Sequence, residues 1–322
     1  MSLTTVLDTI EKGTIYLENK GIDDARRNMQ LLVMHQLGCS RVELYMQFDR
    51  PMEESELTPL REQLLQRGRG VPLQHLLGTV EFYRREFKTD ARALIPRPET
   101  EELADILLKH PELQAPPLSE PEIPAPSHLA ETDTDKPEGS DTAEEPEPST
   151  DDQRLRILDM GTGTGVLGLT LAAEFSGRCQ EVLLADISKE ALSLAKENTE
   201  LLGTPRYQLI QTDLFSQLQG EQFHLIVANL PYIPESDRDS LSSEVMNDPT
   251  TALFGGKDGL DIIRDFIQQA PSHLHPGGMI ALEIGYDQAP EVESLLQQRG
   301  FQSIQTHQDL NQVSRFPIAI FP

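Results

Sequence analysis

The stretch Ile226 to Pro234, IVANLPYIP, sets a carboxamide, a backbone carbonyl and a ring where an apolar run stops. An NH2 group conjugated to a π-system is a poor nucleophile because its lone pair is delocalised. Two acceptors that take its two N–H bonds can turn it until that lone pair faces an electrophilic carbon. Asn229 offers its side-chain oxygen as one acceptor, and the carbonyl of Leu230 can be the other. Pro231 biases Leu230 toward extended geometry, which aims that carbonyl. Tyr232 can lie on the planar group and fix its tilt. Such alignment supplies about 7–11 kcal/mol of a reaction barrier. The plain alternative is an Asn-x-Pro turn leaving a strand, so the residues around it must decide.

Those residues include ILDMGTGTGVLGLTLA, in which Asp159 precedes Gly161, Thr162, Gly163, Thr164 and Gly165. Glycines permit positive φ and close approach of backbone to a ligand. The spacing is not the G-x-G-x-x-G of dinucleotide folds, and an acid there would oppose a pyrophosphate. It suits a ligand carrying a cation, such as the amino group of a methionine-like moiety. Asp186, ending EVLLAD, can accept from both hydroxyls of a ribose. Asp213, in QTDLF, can read an adenine amino group, with Leu214 against the ring. Each aspartate alone is equally well read as a helix N-cap or turn residue. Three at successive strand ends beside a glycine loop resemble the S-adenosylmethionine methyltransferases. With a sulfonium as leaving group, the protein contributes geometry and a dry site, and no dedicated general base is required.

The elements that must position these residues are legible as alternating patterns. RILDM, EVLLAD, YQLIQTD, HLIVAN and GMIALEIG read as short buried strands, with helical spacing in GVLGLTLAAEF and SKEALSLAKENTELLG between them. This predicts βαβ units and a parallel sheet whose ligands sit beyond the strand carboxyl ends. FQSIQTHQDL and RFPIAIFP would close the sheet. Residues 1–75 read as a helical domain. One helix carries Ala25, Met29, Leu32 and Leu37 and stops at Gly38. A second is capped by Ser55, carries Leu57, Leu60 and Leu64, and ends at Gly68. Met29, Met34 and Met46 are assigned to the helical core. GTVEFYRREFKTD suggests a hairpin around Phe82 and Phe87, within a 76–109 linker. Residues 110–152 hold thirteen acids, one lysine and nine prolines, which predicts a disordered acidic insert. The catalytic domain is then 153–322. The expected fold class is α/β, a Rossmann-like methyltransferase domain with a small N-terminal helical domain and a connecting β-hairpin.

A net charge of −26 opposes non-specific binding to polyanions. Nucleic acid is therefore disfavoured as the main partner. The two cysteines, Cys39 and Cys179, lack metal-ligand spacing and suit reduced cytosolic thiols. MSLTTVLDTIEKG does not read as a signal peptide, and no long apolar run suggests a membrane span. The chain is expected to be a cytoplasmic monomer without a metal. Residues 61–97 carry eight basic side chains against four acids, either a strip for an acidic partner or ordinary solvated surface. Arg97 and Glu99 are read as a structural salt bridge in the pocket wall, and His75 as packing near the hairpin.

Asn229 to Tyr232 is similar to the Asn-Pro-Pro-Tyr signature of methyltransferases acting on planar nitrogens, with Leu230 replacing the first proline. That change keeps the carbonyl but returns a free φ and an N–H to position 230. LIPRPETEEL, GVPLQHLLG, NDPTTALFGGKDGLDIIRDFI and LHPGGMIALEIG extend the likeness. Together they resemble the glutamine methyltransferases of peptide chain release factors, the PrmC/HemK family, over nearly the whole chain outside 110–152. The resemblance implies N5-methylation of the glutamine in a Gly-Gly-Gln loop, with S-adenosylmethionine as cofactor. It places cofactor contacts at Gly161 to Gly165, Asp186, Leu214 and Asn229, the glutamine at Asn229 to Tyr232, and release-factor docking on residues 1–75. Alternatives are a ribosomal-protein glutamine or an exocyclic amine of nucleic acid as acceptor, and a non-catalytic cofactor-binding scaffold.

Overall fold

The computed structural model describes residues 4–114, 154–242 and 244–322. Its first helix, α1 (Val6–Asn19), starts where the Thr5 hydroxyl accepts from the Asp8 N–H and the Asp8 carboxylate accepts from the Thr5 N–H. α2 (Ala25–Leu37) ends at Gly38, whose left-handed φ of 61° closes the last turn. α3 (Arg41–Met46), α4 (Glu54–Arg67) and α5 (Leu73–Leu77) follow. Ile10, Met29, Leu32, Leu44 and Leu60 join in a core separate from that of the sheet.

Two expectations are corrected here. Ser55 lies inside α4, and the cap is Glu53, whose N–H donates to the Glu56 carboxylate at 2.9 Å. An acid in the first turn also meets the positive end of the helix dipole. Met46 is 81% exposed rather than in the core, because α3 is only six residues long and buries only Leu44.

β1 (Thr79–Phe82) and β2 (Arg85–Lys88) form the expected hairpin. Tyr83 and Arg84 make its two-residue turn with φ of 47° and 62°. Both are positive, as in the type I′ turn that matches strand twist, and neither residue is a glycine. Phe82 and Phe87 are buried edge to face. Asn198 ties this hairpin to the glycine loop. Its oxygen accepts from the Lys88 N–H, and its NH2 donates to the carbonyls of Lys88 and Thr164.

α6 (Pro98–Lys109) begins with a proline in its first turn, where the missing N–H costs nothing. It continues into a 3-10 turn, Pro111–Leu113, with Leu113 buried. Residues 110–114, expected to open the insert, are therefore folded, because Leu113 reaches the sheet core. The remainder of that segment lies outside the described residues.

The seven-stranded sheet comprises β3 (Leu155–Met160), β4 (Cys179–Asp186), β5 (Tyr207–Gln211), β6 (Phe223–Ala228), β7 (Leu274–Leu282), β8 (Gln302–Gln308) and β9 (Ser314–Ile320). Their order is β5-β4-β3-β6-β7-β9-β8, parallel except for β9, which runs antiparallel to both neighbours. α7 (Val166–Glu174), α8 (Lys189–Leu202), α9 (Asp261–Gln269) and α10 (Ala289–Gln298) complete the domain. Alternation sends Leu225 and Val227 to the face covered by α6 and α7, and Ile226 and Ala228 to the face covered by α9 and α10. The strand order reverses between β3 and β6, the position where open α/β sheets leave a crevice.

A left-handed non-glycine residue costs roughly 1 kcal/mol, partly offset by the unfolded-state entropy of a glycine. Arg84→Gly is therefore expected to stabilise the protein by about 0.5 kcal/mol, read as a rise in the urea midpoint with unchanged slope.

Candidate active site

The crevice is built from chain that leaves the ends of β3, β4, β5 and β6. After β3 the chain turns on Gly161, Gly163 and Gly165, with φ of 71°, 55° and 85°. Asp159 holds this loop from beneath. Its Oδ2 accepts from the Thr162 hydroxyl at 2.7 Å and from the Gly168 N–H at 2.9 Å. Burial pushes its carboxyl up to about 6. This acid, which the sequence suggests for a ligand's cation, is thus engaged with its own loop, although it also borders the crevice.

Asp186 spans the gap between loop and helix. Its Oδ2 accepts from the Gly163 N–H at 2.9 Å, and its Oδ1 from the Ser188 N–H at 2.8 Å. Burial raises its carboxyl, while those backbone donors oppose the shift. The next residue, Ile187, is 58% exposed and lines the same crevice. Opposite lie Asp213, exposed, and Leu214, which adopts φ 45°. Thr212 closes that turn by donating to the Leu214 carbonyl and accepting from the Gln217 N–H. The structure therefore brings Gly161 to Thr164, Asp186, Asp213, Leu214, Asn229, Leu230 and Pro231 to one cavity. Gly165 lies just behind it, as the cap of α7.

A second cavity adjoins the first, and Leu94, Arg97, Asn229 and Ala252 line both. Tyr232, Glu283 and Arg315 border the second alone. Asn229 follows β6, and Glu283 follows β7 directly, joined to β6 by its N–H on the Ala228 carbonyl. The Asn229 NH2 donates to the Thr100 hydroxyl at 3.1 Å, and that hydroxyl donates to Glu283 Oε2 at 2.6 Å. Thr100 stands in the first turn of α6. Burial pushes the Glu283 carboxyl up to about 7 and the Tyr232 hydroxyl up to about 12.

Leu230 is 5% exposed. A side chain at Gly161 would meet its Cδ2 at 2.9 Å, so the leucine packs onto the loop. Packing here supplies rigidity that a proline ring would otherwise give. Behind the tetrapeptide, Cβ atoms on Gly255 and Gly259 would stand 2.4 Å from the Pro231 carbonyl oxygen and 2.1 Å from that of Tyr232. FGGKDG is thus the bare backbone against which Asn229 to Tyr232 rests. Gln288 adds a hydrogen bond to the Tyr232 carbonyl at 2.9 Å.

The chain matches the model of the PrmC N-terminal domain over residues 8–78 and that of the methyltransferase small domain over 147–256. It is 34% identical to the release factor glutamine methyltransferase of Geobacter sulfurreducens, across 93% of this chain and 91% of that one. It is also 34% identical to the release factor glutamine methyltransferase of Deinococcus radiodurans, across 96% of each. The chain belongs to the release factor glutamine methyltransferase family. Among solved structures, a ribosomal protein L11 methylase from Lactobacillus delbrueckii subsp. bulgaricus is similar at 28% identity and TM-score 0.38, over 52% of this chain and 69% of that one.

Thr100 and Glu283 carry no site signal of their own in the sequence, although both stand in the motifs LIPRPETEEL and LHPGGMIALEIG. Ile187 also joins the site, and its one signal in the sequence is an apolar residue directly after the strand-end acid Asp186. Arg97 is paired with Asp248 at 2.8 Å, not with Glu99. Asp248 is buried and also accepts from the Ile95 N–H, which counts toward its ionised form although burial pushes its carboxyl up to about 6. His75 does pack near the hairpin, and its Nε2 stands 3.8 Å from Asp248.

Gly259→Ala is expected to cost about 2 kcal/mol or more, because a Cβ would strike the Tyr232 carbonyl from a left-handed backbone. Gly177→Ala, with open space at its Cβ and an ordinary φ, should be neutral. Thermal unfolding of the pair checks both.

Proposed function

We propose that this protein transfers the methyl group of S-adenosylmethionine to the side-chain nitrogen of the glutamine in the Gly-Gly-Gln loop of peptide chain release factors. The supporting observation is the place of Asn229 in the wall common to two cavities. The cavity bordered by the glycine loop suits the donor. Its carboxylates Asp186 and Asp213 face a ligand that bears hydroxyls and amino groups, Ile187 and Leu214 flank a flat ring, and the glycine loop admits close backbone approach. When bound, S-adenosylmethionine supplies a methyl carbon on a positively charged sulfur.

The adjoining cavity, bordered by Tyr232 and Glu283, takes the glutamine side chain. Asn229 Oδ1 and the Leu230 carbonyl accept the two N–H bonds of its carboxamide, which turns the nitrogen lone pair toward the donor cavity. Tyr232, neutral at all ordinary pH, bears on the flat face of the group. Leu230 and the FGGKDG backbone keep water from the junction and hold the acceptors still. The methylated amide cation is a very strong acid and gives up its extra proton to water at once, without a dedicated base. The helical domain, α1 to α5, serves in docking the release factor, as the family's N-terminal match supports.

The enzyme is proposed to act in the cytosol as a monomer, with protein rather than nucleic acid as its main partner, in keeping with its net charge of −26. No helix among the described residues is long and apolar enough to cross a membrane.

Incubation with methyl-labelled S-adenosylmethionine should label a release factor and leave its loop Gln→Ala variant unlabelled. Label in both, or only in ribosomal protein or nucleic acid, would move the assignment to another acceptor. Asn229→Ala should lower kcat by about 100-fold. Wild-type turnover in that variant, with cofactor still bound, would contradict the acceptor role.

A further inference from the structure

We infer that Glu283, acting chiefly through the Thr100 hydroxyl, decides which way round the Asn229 carboxamide stands and so positions the acceptor oxygen for methyl transfer. The inference rests on the methyltransferase reading given above. The two ends of a carboxamide have nearly the same shape, so packing does not distinguish them; only hydrogen bonds do. A threonine hydroxyl carries one proton. Here that proton is directed to Glu283 Oε2 across 2.6 Å, and the oxygen's lone pairs remain for Asn229, 3.1 Å away. An NH2 group satisfies those lone pairs and a carbonyl oxygen does not. Oδ1 is thereby turned away from Thr100 and left free for an incoming N–H.

The fold does not itself need a carboxylate at 283. The backbone there already pairs with Ala228 through its N–H, and the side chain is 2% exposed. A buried carboxylate costs free energy unless it is hydrogen-bonded, and an apolar residue would fill the space at less expense. The groups that face it come from three directions. Glu99 on α6 disfavours its charge, the Thr100 hydroxyl, Arg315 on β9 and the Asn229 side chain favour it, and Tyr232 beside the cavity remains neutral. Arg315 is in turn held by Asp309 at 2.7 Å, and Arg97 by Asp248, so neither guanidinium is at liberty to replace Thr100.

Protonation of Glu283 turns an obligate acceptor into a donor. The chain can then run backwards: Glu283 donates to Thr100, Thr100 donates to Asn229 Oδ1, and the NH2 end meets the substrate's N–H. Since burial places this carboxyl near 7, activity falls as pH drops through that value and recovers above it.

The full-length enzyme should be assayed with a release factor and labelled S-adenosylmethionine as wild type, Glu283→Gln, Thr100→Val and Thr100→Ser. Wild-type kcat should climb roughly tenfold between about pH 6 and about pH 8, the span of one such ionisation. Glu283→Gln should lose that rise. Thr100→Val should lower kcat by about tenfold or more, with KM for the release factor changed less than about threefold, and Thr100→Ser should restore most of the loss. Without substrate, the Asn229 side-chain amide NMR resonance should titrate over the same range in wild type and stay flat in Glu283→Gln. A persistent pH rise in Glu283→Gln, or wild-type turnover in Thr100→Val, would overturn the inference. Absence of label on any release factor, with the resonance still titrating, would instead remove the proposed substrate and leave the positioning role standing.

Discussion

A carboxamide presents an acceptor and a donor that a packed cavity cannot tell apart, and the chemistry assigned to Asn229 works with only one of them outward. Fixing that choice requires a neighbour of known hydrogen-bonding sense, and the neighbour must itself be fixed. β6 brings Asn229 to the edge of the sheet, β7 brings Glu283 alongside, and the first turn of α6 lowers Thr100 between them. Three elements distant in sequence are thus tied to one orientation. The position of α6 in turn depends on Leu103 and Leu107, which it buries against the sheet.

The same logic of shared restraint joins the two domains. Arg67, 4% exposed at the end of α4, donates to the Asn28 side chain and the Val71 carbonyl within the helical domain, and to Glu244 beyond it. Asn247 donates to the Gly70 carbonyl, and Asp248 takes Arg97 and the Ile95 N–H. The stretch carrying these partners continues into Pro249 and Ala252, which line the cavities. A domain proposed to dock the substrate therefore also braces the wall against which the substrate's side chain would lie.

Much of this was readable beforehand because its signals are local. Five apolar runs ending in Gly, Asp or Asn were sufficient to place the parallel strands, and Asn229, Asp186 and Leu214 follow from their positions just past those runs. What stayed hidden depends on partners far along the chain. Thr100 looks like one polar residue among the acids of a helix start, and only the fold sets it against Glu283, 183 residues away. Arg97 sits two positions from Glu99, which invited a local pairing, yet its partner is Asp248. Asp159 is legible at the crevice it borders, but its bonds to Thr162 and Gly168 are not, since a glycine loop shows neither which hydroxyl will anchor it nor to what. Tyr83 and Arg84 conceal their turn because the usual Asn-Gly is absent.

The junction between α6 and β3 has a practical implication. Arg178 donates from its side chain to the Leu113 carbonyl, and its own carbonyl accepts from the Leu155 N–H at 2.7 Å, so a single residue pins both flanks. Leu155 opens β3 at the amino-terminal margin of the sheet, and the reacting groups lie past the opposite margin. The two described ends that flank residues 115–153 are therefore both fixed by Arg178, and Leu155 stands at the margin opposite the reacting groups. The anchoring of that segment and the geometry of the reacting groups are thus set by different bonds at different edges of the sheet.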